Sequence, residues 1–237
     1  AQGTETYDYN TLGRLTSDSL PGGRTVTYAY DAAGNRTSVT DNGVRQGIAV
    51  FEHQTTQPLS IALLIDISAS TAKDLRYETA SVAKFLDALV REGNSADAAS
   101  LYAFNDQVTL LSAYSRRVTR LEERLKSLKP EAGTSLYDAI YLSAPALRER
   151  QGRHVIVAIS DGGDTTSSKK FKDALDAAQK ADAIFYPVVV VPITNPAGRN
   201  TAGEHALETL AANTGGRAFY PTVGAQLDRA FADILRD

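Results

Sequence analysis

From about residue 45 onward, short continuous apolar runs alternate with segments of helical spacing, and this alternation limits the folds open to the chain more than any other feature. Ile61-Ala62-Leu63-Leu64-Ile65, Val155 to Ile159 and Ile184 to Val191 each read as a strand buried on both faces. Ile48 to Phe51 reads as a further short strand, and Arg217 to Tyr220 as another near the C-terminus. Leu101 to Phe104 and Val108 to Leu111 flank Asn105-Asp106, a hairpin signal. Between these runs the spacing predicts helices over residues 72–91, 116–128, 136–150, 168–181, 203–213 and 225–235. Strands that alternate with helices make a mostly parallel sheet covered on both faces, an α/β doubly wound fold.

The first 44 residues differ in kind. They hold four of the 11 Tyr and six of the 17 Gly, with no Lys. Tyr7-Asp8-Tyr9-Asn10-Thr11-Leu12-Gly13-Arg14-Leu15-Thr16 aligns with Tyr28-Ala29-Tyr30-Asp31-Ala32-Ala33-Gly34-Asn35-Arg36-Thr37 at a shift of 21 residues. Tyr-x-Tyr places two rings on one strand face, and the Asn/Asp and Gly that follow supply a turn. Each unit therefore reads as a β-hairpin. The segment resembles the YD repeats of bacterial Rhs-type surface and toxin proteins, in which long arrays of such hairpins wind into a shell. Two copies cannot build a shell, and so little apolar content seldom folds alone. The expected organisation is a β-hairpin extension over residues 1–44 and an α/β domain over residues 45–237. Tyr7, Tyr9, Tyr28 and Tyr30 are the candidate interface residues of the extension, with packing inside the hairpins as the plainer role.

Composition narrows the function classes. The net charge is −3, against the basic footprint of a nucleic-acid binder. No apolar run approaches the roughly 18–20 residues needed to span a bilayer. There is no Cys, which removes disulfides, thiolate metal sites and cysteine nucleophiles together. The chain contains no Gly-x-Ser-x-Gly elbow, no phosphate-binding Gly-rich loop and no His-Glu-x-x-His. His53, His154 and His205 show no metal-ligand spacing and read as structural or surface residues, and Lys169, Lys170 and Lys172 as a solvated helix face. The opening Ala1-Gln2-Gly3 fits a trimmed sequence and a processed exported chain equally well.

The chemistry lies at strand ends. The first buried strand runs into Asp66-Ile67-Ser68-Ala69-Ser70, the second into Ser160-Asp161-Gly162, and Gly133-Thr134-Ser135 opens a helix between them. In open α/β sheets ligands bind beyond the carboxyl ends of strands, where strand order reverses. Two carboxylates with hydroxyls form an all-oxygen donor set, which prefers a hard cation. Asp-x-Ser-x-Ser with a distant Thr and Asp-Gly resembles the metal-ion-dependent adhesion site of von Willebrand factor A (VWA) domains. The resemblance implies a Rossmann-like VWA fold with Asp66, Ser68, Ser70, Thr134 and Asp161 around Mg²⁺, or else Mn²⁺ or Ca²⁺. Asp164 reads as a loop cap beside them. Ala69 stands where that family often has Gly, which would cost about 1 kcal/mol if the position needed positive φ. Asn42-Gly43-Val44-Arg45-Gln46, Thr134 to Ile140, Ser160 to Thr165 and Thr214 to Phe219 are similar to a VWA subgroup common in Acidobacteria.

The resulting expectation is a non-enzymatic, secreted or cell-surface bacterial adhesion module that captures a carboxylate of a protein partner. The alternative is a structural subunit of an extracellular filament or surface assembly, its N-terminal hairpins pairing with a neighbouring identical subunit as a homo-oligomer or polymer. Neither reading involves nucleic acid or a membrane span.

Overall fold

A computed structural model describes residues 6–11, 14–20, 23–30, 36–46, 57–69, 75–126, 128–161, 163–189, 201–221 and 224–236. It divides into two compact units, Ala1–Glu52 and His53–Asp237.

The first unit is an antiparallel meander of β1 (Thr6–Tyr9), β2 (Leu15–Leu20), β3 (Arg24–Tyr30), β4 (Arg36–Asp41) and β5 (Val44–Gln46), in that spatial order. The sequence repeat is a structural repeat. In the first hairpin Thr6 pairs with Ser19, Tyr7 with Asp18, Asp8 with Ser17 and, after a register shift, Tyr9 with Leu15. In the second, Thr27 pairs with Thr40, Tyr28 with Val39, Ala29 with Ser38 and, after the same shift, Tyr30 with Arg36. Every pair moves by 21 residues, the bulge included. Asn42 and Gly43 then turn the chain into β5 with φ of 50° and 77°. Positive φ at both central residues is the primed turn whose twist suits a two-residue hairpin, and Asn-Gly is its preferred sequence. Asn42 also accepts the Thr25 N–H at 2.9 Å through its side chain. The expected boundary between residues 44 and 45 falls inside β5, because the Asn-Gly turn folds residues 44–46 back onto β4. The expected strand Ile48 to Phe51 lies outside the described residues.

The second unit contains β6 (Leu59–Asp66), α1 (Leu75–Glu92), β7 (Ala98–Phe104), β8 (Val108–Ser115), α2 (Val118–Lys126), α3 (Leu136–Arg148), β9 (Arg153–Ser160), α4 (Phe171–Lys180), β10 (Ala183–Val189), α5 (Thr201–Thr214) and α6 (Gly224–Arg236). The sheet order is β10-β9-β6-β7-β8, parallel except for the β7–β8 hairpin. All eight residues of β6 are buried, as its unbroken apolar run predicts. Its side chains alternate between two cores. Leu59, Ile61, Leu63 and Ile65 pack with Val82, Phe85 and Leu89 of α1 and Phe231 of α6. Ala62 and Leu64 pack with Ile140 of α3, Ala174 of α4 and Leu207 of α5. Burying each large aliphatic contributes about 2 kcal/mol. The Arg217–Tyr220 segment contributes only an isolated bridge, Val188 to Phe219. No described helix is long and apolar enough to cross a membrane.

Candidate metal-binding site

The order of the sheet locates the crevice. From the central strand β6 the chain goes to β7 on one side, and β9 lies on the other, so strand order reverses at the C-terminal end of β6. Asp66 closes that strand, across from Phe104 on β7 and one residue past the Ile65–Ile159 pair. It is fully buried. One carboxylate oxygen accepts the Ser68 N–H at 2.8 Å and the other accepts the Ser160 hydroxyl at 2.6 Å. Burial raises its pKa from 3.8 to about 6, hydrogen bonds from Ser160 and Ser68 lower it, and the charge of Asp161 raises it again. The side chain is thus held by donors suited to a carboxylate, in surroundings that oppose its charge.

Past Asp66 the backbone keeps contact with the sheet. The Ile67 N–H donates to the Phe104 carbonyl at 2.9 Å, the Glu131 N–H donates to the Ile67 carbonyl at 2.9 Å, and Ser68 bridges Glu131. Ser68 is buried. This second strand-like contact brings residues 131–135 to the same end of the sheet. The Ser135 N–H donates to the Asn105 carbonyl at 2.6 Å, and its hydroxyl donates to the Asp106 carbonyl at 3.0 Å. Asn105 in turn donates through its side chain to Glu131 at 2.7 Å.

Thr134 joins this loop to the one after β9. Its N–H donates to the Thr165 hydroxyl at 3.0 Å, and its carbonyl accepts from the N–H groups of Thr165 and Thr166 at 2.8 and 3.1 Å. Among the described residues its hydroxyl takes no hydrogen-bond partner. Asp164 caps α3 by accepting the Tyr137 N–H at 3.2 Å and the Ser167 hydroxyl at 2.6 Å. Asp138 accepts the N–H groups of Ser168 and Lys169 at 3.0 and 2.8 Å. Burial raises the Asp138 pKa, but these bonds outweigh it and hold the group below its ordinary value. Asp161 accepts the Gly163 N–H at 3.2 Å.

Gly133 lets Thr134 take its place. Its φ is +84°, and an added Cβ would lie 2.7 Å from the Asp106 Cβ and 3.0 Å from its backbone. Gly133→Ala should cost about 1–2 kcal/mol from positive φ and crowding together. It should also shift Thr134 from its place beside the loop after β9; the melting temperature reads the cost.

Ser68 is thus hydrogen-bonded to Asp66, the charge of Asp161 acts on Asp66, and Thr134 is bonded to the loop after β9, while Ser70 lies outside the described residues. Ala69 carries no left-handed strain, since the described non-glycine residues with positive φ are Asn42 and Asp182. Ser160 is the participant that the sequence placed at the end of its strand, before Asp161-Gly162, without a role of its own. Its signal was positional, as the residue of β9 level with Asp66. Among the described residues no group of three or more His, Cys, Asp and Glu is placed to hold a metal. The cluster has two carboxylates, and hydroxyls would have to supply the remaining donors. His154 is structural, its ring nitrogens 2.6 Å from the Ala181 carbonyl and 3.1 Å from the Arg150 carbonyl. Lys169 lies 4.5 Å from the Tyr141 ring centroid, and Lys172 pairs with Asp176 at 2.7 Å.

Comparison with known proteins agrees with both units. Residues 61–163 match the von Willebrand factor type A domain family, and residues 9–43 match the RHS repeat. These matches, with structural neighbours of the same fold, support a VWA domain with an RHS repeat. No curated protein matches the chain. Among solved structures, it is similar to the vWF domain of the type V pili tip protein Mfa5 from Porphyromonas gingivalis, at 13% identity and a TM-score of 0.61, covering 76% of this chain and 95% of that one. It is also similar to the PilB minor pilin from Streptococcus sanguinis, at 11% identity and a TM-score of 0.57, covering 98% of this chain and 83% of that one. The pilus adhesin SpaC from Lactobacillus rhamnosus GG gives a TM-score of 0.62 at 9% identity over all of this chain, which spans only 35% of SpaC. At these identities the likeness concerns the fold.

Proposed function

We propose that the His53–Asp237 unit is a non-enzymatic protein-binding module of the bacterial surface or extracellular space, which uses a divalent cation to capture a carboxylate of a protein partner. Asp66, Ser68, Ser70, Thr134 and Asp161 would hold the cation, with Mg²⁺ the best suited and Mn²⁺ or Ca²⁺ as substitutes. The observation that carries this reading is the buried Asp66 carboxylate at the strand-order reversal, its pKa pushed up to about 6 with the charge of Asp161 among the causes. A positive charge shared by the two acids would offset both burial and repulsion. Ser160 and the Ser68 N–H fix the orientation of the carboxylate, and Thr134 presents an unclaimed hydroxyl. A bound cation with so few charged ligands would retain affinity for one further carboxylate. The pilus and adhesin proteins that share the fold fit an adhesion or assembly role. The test is thermal melting of the full chain with EDTA and with millimolar Mg²⁺ or Mn²⁺. Metal should raise the melting temperature, and an unchanged melt in all three conditions removes the basis of the reading.

The exposed first strand of the N-terminal sheet favours a second reading, a subunit of a surface assembly. All four residues of β1 are exposed, and an exposed strand edge offers backbone groups to another strand.

A further inference from the structure

Arg153 is a half-buried arginine that opens β9 in register with Leu59, the first residue of β6. Its backbone N–H donates to the Pro58 carbonyl at 2.8 Å. Among the described residues its guanidinium makes no hydrogen bond or ion pair, and Nη2 is shut off from water as well. A donor in that position has given up its hydration and gained no acceptor. The side chain lines a cavity of about 640 Å³ between α1, α6 and the N-terminal ends of β6 and β9. Leu59, Phe85, Leu89 and Phe231 give this cavity its apolar wall, with the Phe85 and Phe231 ring centroids 4.7 Å apart in a stack. The other charged groups among its described lining residues are engaged. Asp97 accepts the Leu59 and Asn94 N–H groups at 2.7 and 2.6 Å, one with each oxygen, and Lys84 pairs with Asp228 at 2.8 Å. Asp228 keeps one buried oxygen, Oδ1, without a donor.

We propose that this cavity binds a small carboxylic acid with an apolar body, its carboxylate paired with the Arg153 guanidinium and its body set against Phe85, Leu89 and Phe231. Charge complementarity selects the class. The wall offers one unclaimed cation beside apolar surface, and a guanidinium takes a carboxylate through two parallel N–H···O bonds. Turning the guanidinium about its last bonds brings Nη2 to the cavity without leaving a described partner behind. The volume is that of a site for one small molecule. A hydroxyl or amine elsewhere on the ligand would also satisfy Asp228 Oδ1, so a carboxylic acid that carries a donor suits the cavity better than a plain one. The site is independent of the proposed cation site. Leu59 and Asp66 are the two ends of β6, and at about 3.3 Å per residue the strand separates them by roughly 23 Å.

The test is calorimetric titration of the full chain with para-hydroxyphenylpropionate, an aryl carboxylate that carries a hydroxyl donor. EDTA is present throughout, so that no bound cation can capture the acid. Tyramine, the same hydroxylated ring on an ammonium chain, is the comparison. Wild type should bind the acid with a dissociation constant below about 1 mM and tyramine at least about tenfold more weakly. Arg153→Gln should weaken binding of the acid at least about tenfold while melting no lower than wild type, because the guanidinium it removes has no described partner. Ala88→Leu, which fills the cavity from α1, should block the acid. The proposal is overturned if wild type shows no binding up to about 10 mM, if either substitution leaves binding undiminished, or if tyramine binds as well as the acid. A loss of stability in Arg153→Gln would also count against it, as the mark of a structural arginine. None of these outcomes bears on metal-dependent melting, which tests Asp66.

Discussion

Asp66→Asn should raise the thermal stability of the metal-free protein at neutral pH and, if the proposed cation site holds, should abolish the stabilisation by divalent cations. The two effects have one cause. At neutral pH the native state holds a buried carboxylate whose pKa is about 6, against an ordinary value of 3.8. That difference of about 2 units corresponds to roughly 3 kcal/mol of stability lost by ionising Asp66 in the folded chain. Asn keeps the shape, can accept from the Ser68 N–H and can donate to the Ser160 hydroxyl, but carries no charge to desolvate. For a unit of this size a gain of that order raises the melting temperature by roughly 5 °C or more. The same substitution removes one of the two carboxylates that would neutralise a cation. Wild type in Mg²⁺ at 100 times its dissociation constant should gain about 2.7 kcal/mol, and Asp66→Asn essentially none. A variant less stable than wild type in EDTA, or still stabilised by Mg²⁺, would show that the carboxylate is a structural acceptor and not a charge held for a metal.

How far the sequence determines this picture differs between its parts. β6 was legible because burial on both faces demands an unbroken apolar run, and Ile61 to Ile65 provides one. The helices were legible from the spacing of residues such as Phe85, Leu89 and Phe231. The hairpins were legible from Tyr-x-Tyr and its return after 21 residues. Ser160 was not, because nothing local distinguishes a serine that ends a strand from one that begins a turn. Only the parallel register of β6 and β9 places its hydroxyl beside Asp66. Asp164 read as a loop cap, but that it caps α3 was hidden, since the Tyr137 N–H it accepts lies 27 positions away in the chain. The extent of β5 depended on turn chemistry. Asn42-Gly43 reverses the chain and returns residues 44–46 to the first sheet, where a change of composition had suggested an ending.

With metal absent, stability should fall as pH rises from about 4 to about 6, the reverse of what most surface carboxylates produce. The sign follows from proton binding. Between 3.8 and about 6 the unfolded chain has released the Asp66 proton while the folded chain retains it, so the folded state binds more protons and loses stability as pH increases. Below 3.8 both states are protonated at Asp66 and its contribution is fully present. Asp138 acts in a different window. Its folded pKa is lowered, so its contribution is present above 3.8 and disappears as pH falls below that value. The metal-free melting temperature should therefore pass through a maximum near pH 4, and Asp66→Asn should flatten the decline above it. On the proposed cation site, saturating Mg²⁺ should change the slope, because the cation would require the carboxylate that acid protonates. The melting curves with and without Mg²⁺ should lie furthest apart at neutral pH and converge as pH falls through 6 toward 4. Curves that remain parallel across that interval would mean that the proton and the cation do not compete for Asp66, and the metal would then have to bind elsewhere.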